Sequence, residues 1–389
     1  MDGIDGVERM KNTIIKIENK DVMGSLRKFL GQLLESKFVD ALLVPKILPG
    51  GDGFVQSLIK DAEMLVDTNP VAPTMAVQSA RILSDLTSSP FNGRIGVVLR
   101  PCELRAVVEL VKFLQVDLDN VVTIGIDCIG TYEVRDYAAM EKKDRELSFQ
   151  AFLEGARGGE IKLGEGHSFR ESCEICEYPV PLNADMAIGF FGCNPSEEIL
   201  LMVGNRFEAD LAEKLSLELK EGNSVSRKNA VDRIIRNRKK KRSGVLNELK
   251  GRINGLEKLM QTFSTCIRCH NCMNVCPICY CKECVFKTSV FEHRPDQFLN
   301  WAKRKGAIRM PADTLIFHLT RMSHMATSCI GCGMCDSACP NQLPVSSLFG
   351  LIGSELQELF EYVPGRDVEE EAPVSVFKED ELEDQTGAG

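Results

Sequence analysis

The chain has 389 residues with a formal net charge of -9, long enough for two or three domains with proper cores. Sixteen cysteines behind an opening MDGIDGVERMKNTIIKI that carries no apolar export segment argue against a disulfide scaffold and for a cytoplasmic protein whose thiolates bind metal. No stretch approaches the roughly 18 to 20 uninterrupted apolar residues of a spanning helix.

Apolar residues recur at helical spacing from Val22 to Leu34, and Phe38 to Val44 reads as a strand. The alternation then repeats: a helix over Met75 to Leu86, a buried strand over Ile95 to Leu99, a helix over Glu103 to Leu114 and a strand over Val121 to Ile126. Such a pattern predicts an α/β layer with a largely buried sheet. Five glycines between Gly155 and Gly166 predict a loop or hairpin, either a plain surface loop or a cofactor lid. Strand-like runs resume at Ala184 to Phe191 and Leu200 to Val203, and Glu221 to Ser226 marks a boundary. Nine basic residues crowd Arg227 to Arg242 without the interleaved aromatics of a nucleic-acid surface, so the run reads as a partner-facing helix or linker. Beyond it Val245, Leu246, Leu249, Ile253, Leu256, Leu259 and Met260 form a stripe, the expected arm between two domains. A helical insert covers Pro311 to Met325. The tail from Asp367 to Gly389, with nine acids against one Lys, reads as disordered solvating sequence or a docking arm.

Two copies of one cysteine pattern stand 63 residues apart: Cys266, Cys269, Cys272, Cys276 with Pro277, and Cys329, Cys332, Cys335, Cys339 with Pro340. This is the C-x2-C-x2-C-x3-C-P run of a bacterial-type ferredoxin, written twice. Three thiolates two residues apart wrap a loop around one cubane, while the fourth, set off by three residues, reaches the other. The pattern thus assigns Cys266, Cys269, Cys272 and Cys339 to one 4Fe-4S cluster and Cys329, Cys332, Cys335 and Cys276 to a second. Zinc also suits C-x2-C but has little need of four Cys in each run. Cys266-Ile267-Arg268-Cys269-His270 matches the haem-attachment string, yet covalent haem requires export, so His270 is expected to be a loop residue near a cluster.

Four further cysteines lie in the α/β part. Cys102 and Cys128 follow predicted strands and would emerge at one sheet edge, where α/β proteins build sites. With the Cys173-x2-Cys176 pair they would hold a third 4Fe-4S cluster; inert buried thiols are the alternative. Cys193, Cys279, Cys281 and Cys284 remain, either ligands of a fourth centre or structural thiols.

Val22-Met23-Gly24-Ser25-Leu26, Gly96-Val97-Val98-Leu99-Arg100-Pro101-Cys102-Glu103, Ile124-Gly125-Ile126-Asp127-Cys128-Ile129-Gly130-Thr131, and Ser172-Cys173-Glu174-Ile175-Cys176 ahead of Ala184-Asp185-Met186-Ala187-Ile188-Gly189 resemble, in order, blocks of the beta-subunit family of coenzyme F420-reducing hydrogenases and F420-dependent formate dehydrogenases. The resemblance spans residues 20 to 205. It implies an FAD domain that exchanges a hydride with coenzyme F420 and passes electrons to iron-sulfur clusters, and it supports the third cluster. The double ferredoxin run is similar to the formate dehydrogenase type, which implies a catalytic partner subunit of formate dehydrogenase alpha or hydrogenase type; heterodisulfide-reductase-associated relatives are a further partner class. Where the family has a double-glycine turn, this chain has Gly24 and Ser25, which would offer backbone N–H groups to flavin phosphates or serve as a plain helix cap. Arg100 and Arg105 beside the Pro-Cys turn would neutralise a flavin or substrate anion, or stand as surface charges.

The expected architecture is an α/β flavin domain plus a bacterial-type double 4Fe-4S ferredoxin-like module with a helical linker. Its boundaries are residues 1–220, 221–262 and 263–350, with a C-terminal helix and acidic tail at 351–389. No acid-base or nucleophile constellation stands out, and none is needed where a flavin carries the chemistry. Two rival readings are a cluster-only relay and a flavin subunit fed by NAD(P)H or ferredoxin. No complete G-x-G-x-x-G supports nicotinamide.

Overall fold

The computed structural model describes residues 10–375 apart from 142–146, 162, 164–165, 223, 293, 307–311 and 374. Strands β1 (Lys11–Lys16), β2 (Ala41–Ile47), β3 (Phe54–Ile59), β4 (Ile95–Leu99), β5 (Val121–Ile126), β6 (Met186–Gly189) and β7 (Glu198–Val203) make one sheet in the order β1-β7-β6-β5-β4-β2-β3. Its centre, β2-β4-β5-β6, is parallel. β3, β7 and β1 extend the edges antiparallel.

The central strands are buried along their whole length, as parallel strands covered on both faces must be. Side chains alternate between two cores. Leu42, Val44, Val98, Val122, Ile124 and Ile126 enter one; Ala41, Leu43, Ile95, Val97, Leu99 and Val121 enter the other. The first face is covered by α1 (Val22–Glu35), and the second by α2 (Ser79–Thr87) and α3 (Pro101–Lys112). The short α4 (Val134–Glu141) leads to α5 (Leu147–Gly158), which also packs on the first face. α6 (Glu171–Glu174) and α7 (Glu208–Leu215) complete the sheet region.

One strand and one loop differ from the sequence pattern. β2 starts at Ala41 rather than Phe38, because the N–H groups of Phe38 and Val39 both donate to the Leu33 carbonyl and close the end of α1. The glycine-rich stretch expected to be a loop from Gly155 is helical to Gly158, since Phe152 and Ala156 bury one face of α5; Gly164 lies outside the described residues.

A 28-residue helix, α8 (Val225–Arg252), joins the two halves of the chain. Its first half, the basic run, is anchored on the sheet domain through Ala230, Val231 and Ile234 in the first core. Two glycines permit this approach. A Cβ on Gly159 would meet the Ala230 carbonyl oxygen at 2.4 Å, and one on Gly192, at φ +75°, would meet the Arg227 nitrogen at 2.4 Å. Gly192→Ala is therefore expected to cost about 1–3 kcal/mol through overpacking, read as a lowered Tm.

The second half of α8 belongs to a third core, where Leu249 packs with Phe263, Leu348 and Phe349. Leu246, Ile253 and Leu259 of the predicted stripe join it. Leu256 and Met260 stay exposed, because the chain breaks phase at Gly255 (φ +94°) before α9 (Leu256–Thr262) begins. α12 (Ala312–Met325), α13 (Met334–Ser337) and α14 (Val345–Leu359) pack on this core, and α10 (Asn271–Asn274) and α11 (Pro295–Lys305) complete this half of the chain.

The acidic tail begins later than its charge suggests. After α14 the chain straps back onto α3: Gly365 N–H donates to Glu109 at 2.8 Å, Arg105 Nε donates to the Pro364 carbonyl at 2.8 Å, and Tyr362 bonds Glu109. Ala372 is still buried, which corrects the disordered reading from residue 367 onward; residues 376–389 lie outside the described residues.

Candidate functional site

Each ferredoxin run folds into a loop, a one-turn helix and the Cys-Pro step. The runs take the same backbone form. Residues two and four past the first cysteine have positive φ in both: Arg268 and His270 at 58° in the first, Gly331 at 68° and Gly333 at 72° in the second. That geometry turns amides inward, so Arg268 N–H faces Cys266 Sγ at 3.4 Å, and the Gly331 backbone N–H faces Cys329 in the same way; Leu343 N–H faces Cys339 Sγ at 3.4 Å.

The two runs cross. Cys266, Cys269 and Cys272 share a recess with Cys339 and Pro340. Cys276 and Pro277 share one with Cys329, Cys332 and Cys335. Each recess thus gathers thiols from both runs. Among the described residues no three Cys, His, Asp or Glu side chains converge as on a single metal ion; four thiols spread around a recess are the arrangement a cubane needs.

The donors around the recesses also suit a cluster. His318 Nε2 lies 3.3 Å from Cys266 Sγ, and Arg321 donates to Cys272 Sγ at 3.2 Å. Arg321 Nε is buried with no hydrogen-bond partner in the protein, which leaves a donor for inorganic sulfide, and His318 Nδ1 and His270 Nε2 are buried without partners as well. Burial, with Arg321 and His270 nearby, lowers the His318 pKa to about 3, so its ring is neutral. Burial pushes the thiols of Cys272 and Cys332 up to about 11; metal binding there must displace protons. His270 is a loop residue of the first recess, stacked on Phe317 at 4.5 Å.

The cysteines of the sheet domain gather beside the second recess. Cys102 lies in the first turn of α3, which starts at Pro101 because Glu103 caps the Arg100 N–H. Burial raises its thiol well above the ordinary value, with further contributions from Glu103 and from Cys332, Cys128 and Cys176. Cys128 is pushed up to about 11 by burial and by Cys173. Cys102, Cys128, Cys173 and Cys176 thus lie within electrostatic reach of one another, and Cys102 and Cys332 of the second run pack against the same core. A Cβ on Gly333 would strike Ser172 Oγ at 1.9 Å, so the two loops lie in direct contact.

The basic run fastens this place. Arg227 makes a two-pronged pair with Asp127 at 2.6 and 2.8 Å. Arg238 donates to the carbonyls of Ile129 and Cys176. Lys241 and Arg242 pair with Glu174 and Glu177. The inward side of the run is therefore a clamp on the loops carrying Cys128 and Cys176, not a partner-facing surface.

The four residues considered for flavin contacts have partners within the protein. Gly24 N–H donates to Asp21 Oδ1 at 2.8 Å, and Ser25 Oγ donates to the Asp21 carbonyl at 2.8 Å, an ordinary N-cap. Arg100 is buried against Glu103 and the carbonyls of Ala72 and Thr74. Arg105 is buried over the Tyr178 ring at 3.7 Å and donates to Pro364 and Ile330. These bonds are structural ones. Of the remaining cysteines, Cys193 lines a recess with Gly158, Ser226 and Arg233, whereas Cys279 and Cys284 pack beside Cys272 and Phe286, and Cys281 is exposed. Arg170, Arg321 and His318 were not visible as site residues in the sequence; nothing local distinguishes them from surface groups.

Among the described residues no helix is long and apolar enough to cross a membrane. Residues 92–224 match the family model for the C terminus of the coenzyme F420 hydrogenase/dehydrogenase beta subunit, and residues 262–343 match a 4Fe-4S dicluster domain. The chain is 26% identical over 391 residues to an F420-dependent formate dehydrogenase subunit beta from Methanocaldococcus jannaschii, covering 92% of this chain and 97% of that one. It is 27% identical over 387 residues to an F420-dependent formate dehydrogenase 1 subunit beta from Methanococcus maripaludis, covering 92% and 94%. A solved chain of the F420-reducing NiFe hydrogenase complex from Methanosarcina barkeri aligns with 66% of this chain and 97% of its own, at TM-score 0.43 and 14% identity. Over residues 92–224 the chain is thus similar to the C terminus of coenzyme F420 hydrogenase/dehydrogenase beta subunits, it carries a match to a 4Fe-4S dicluster domain at 262–343, and over 92% of its length it is similar to F420-dependent formate dehydrogenase beta subunits.

Proposed function

We propose that this protein exchanges a hydride between coenzyme F420 and an FAD held in the sheet domain, and relays the electrons through three 4Fe-4S clusters to or from the catalytic subunit of a formate dehydrogenase. The observation that carries the reading is the contiguity of the three thiol sets. Cys102, Cys128, Cys173 and Cys176 lie within electrostatic reach of one another, and Cys102 packs on the same core as Cys332, whose recess also holds Cys276, and the run of Cys276 supplies the other recess. Short steps between centres are what a relay requires.

A flavin, when bound, takes two electrons as a hydride and releases them singly. The aromatic cluster of Tyr132, Phe149, Phe152 and Phe169 with Asn69 and Gly130, two residues from Cys128, would form one wall of the flavin site. Those aromatic walls would exclude water. Asn69 Oδ1 is buried there without a partner, an acceptor suited to a ring N–H. Gly130 sits at φ +127°, and a Cβ would strike Phe169 at 2.7 Å, so the glycine keeps that wall in place. Arg238 and the Asp127–Arg227 pair hold the Cys128 loop.

Anaerobic purification of the reconstituted protein should give about twelve irons and one flavin per chain, with about sixteen irons bringing in Cys279, Cys281 and Cys284. Stopped-flow mixing with reduced F420 should bleach the flavin faster than mixing with NADPH. A chain that keeps its iron but takes up no flavin would be a cluster-only relay, and preference for NADPH would replace the deazaflavin reading.

A further inference from the structure

We infer that two buried arginines, Arg170 and Arg321, stand one at each junction between neighbouring cluster sites and raise the reduction potentials of both sites they adjoin. The inference rests on the reading above that the three thiol sets hold clusters. Neither arginine belongs to a ligand motif, and they come from different parts of the chain.

Arg321 projects from α12, the insert between the two ferredoxin runs, and is 3% exposed. One nitrogen donates to Cys272 Sγ and another to the Cys272 carbonyl, both at 3.2 Å. The same side chain lines the recess of Cys276, Cys329, Cys332 and Cys335. Its guanidinium therefore touches a ligand of one set and the wall of the other. Phe317 and Phe349 flank it at 5.7 and 5.1 Å, which keeps water away and the local dielectric low.

Arg170 repeats the arrangement one step further along. It caps α6 and is 5% exposed. One nitrogen donates to Cys173 Sγ at 3.5 Å. Another faces Met334 Sδ at 3.6 Å and Ser337 Oγ at 3.5 Å on α13, and Met334 lines the second recess. Arg170 thus spans from the sheet-domain thiols to the second ferredoxin run.

Neither side chain has a carboxylate partner among the described residues, and each has a buried Nε without a partner. A buried, uncompensated cation is strongly unfavourable, so the compensation must come from thiolates and the anionic centres they hold. Reduction adds a negative charge to a cluster, and a fixed cation in a poorly screened site favours the reduced form. A cation placed between two centres lifts both, which keeps neighbouring potentials in step and the transfer between them close to level.

The test is an EPR-monitored redox titration of the full-length, reconstituted protein, with iron content measured alongside. The parent's iron content bears on the cluster reading itself; only the variants bear on the arginines. Arg321→Gln should lower the potentials of the two ferredoxin-run clusters and leave the sheet-domain cluster unmoved. Arg170→Gln should lower the sheet-domain and second-run clusters and leave the Cys266 cluster unmoved. Full iron with unchanged potentials in both variants overturns the inference. Where a Gln variant loses iron, the Lys variant decides: retained iron with potentials near the parent shows that charge is what matters, and loss of iron there too shows a role in shape alone and overturns it.

Discussion

Replacing Cys339 by Ser is expected to remove the cluster held by the other run, with a loss of about four irons per chain. Single variants cannot reveal the crossing, because every ligand lost costs one cubane; pairs can. Cys266 and Cys339 line one recess, so Cys266→Ser with Cys339→Ser should lose no more iron than either alone. Cys266 and Cys276 stand in the same run but line different recesses, so that pair should lose about eight irons. If each run instead bound its own cluster, the two results would be interchanged. The crossing also ties cluster to fold. Cys266, Cys276, Cys329, Cys335 and Cys339 all pack against the core of Phe263, Leu348 and Phe349, so iron binding there contributes folding free energy. The double variant that empties both recesses should lose the cooperative thermal transition of the C-terminal unit, while the one that empties a single recess should retain a weakened one.

The parts legible in the sequence were those whose determinants are local. β4 and β5 follow from short, mostly apolar runs, as expected of strands buried on both faces. The ferredoxin runs follow from spacing, because the ligand order is imposed by the cubane rather than by the rest of the fold. β1 was missed because its partner β7 lies nearly two hundred residues on; β3 pairs with the strand just before it, but Gln56 and Ser57 interrupt its short apolar pattern and Val55 and Leu58 stay exposed. The basic run shows the same limit in its charges. Arg227 and Arg238 look no different from Lys239 and Lys240 in the sequence, yet the first two are buried and the last two exposed. What separates them is the helical phase of α8 against Asp127 and the Ile129 carbonyl, acceptors about a hundred residues earlier. Arg170 and Arg321 escaped for that reason as well. At the Gly24-Ser25 turn the two readings of one local signal, anion site and helix cap, are not separable from spacing alone; in the structure Asp21 accepts from the Gly24 N–H.

Asp127→Ala should be among the most destabilising single substitutions in the sheet domain, at about 3–5 kcal/mol. Asp127 is 2% exposed and accepts from four donors: Phe190 N–H at 2.8 Å, Phe191 N–H at 3.1 Å, and the two Arg227 nitrogens. Its removal strands a buried guanidinium and two backbone amides at the end of β6. For a domain of this size the loss corresponds to a fall in Tm of roughly 10 °C. By contrast Glu18→Ala, which breaks the exposed pair with Lys28, should change stability by less than about 1 kcal/mol. The cause can be separated from simple loss of contacts. If the stranded charge dominates, Asp127→Ala combined with Arg227→Leu should be more stable than Asp127→Ala alone, because the second change removes the unpaired cation. Additive losses would place the effect in packing instead. Because Cys128 follows Asp127 directly and α8 clamps the same loop through Arg238, the single variant should also lose iron from the sheet-domain site while both ferredoxin-run clusters remain, a pattern that a general loss of folding would not produce.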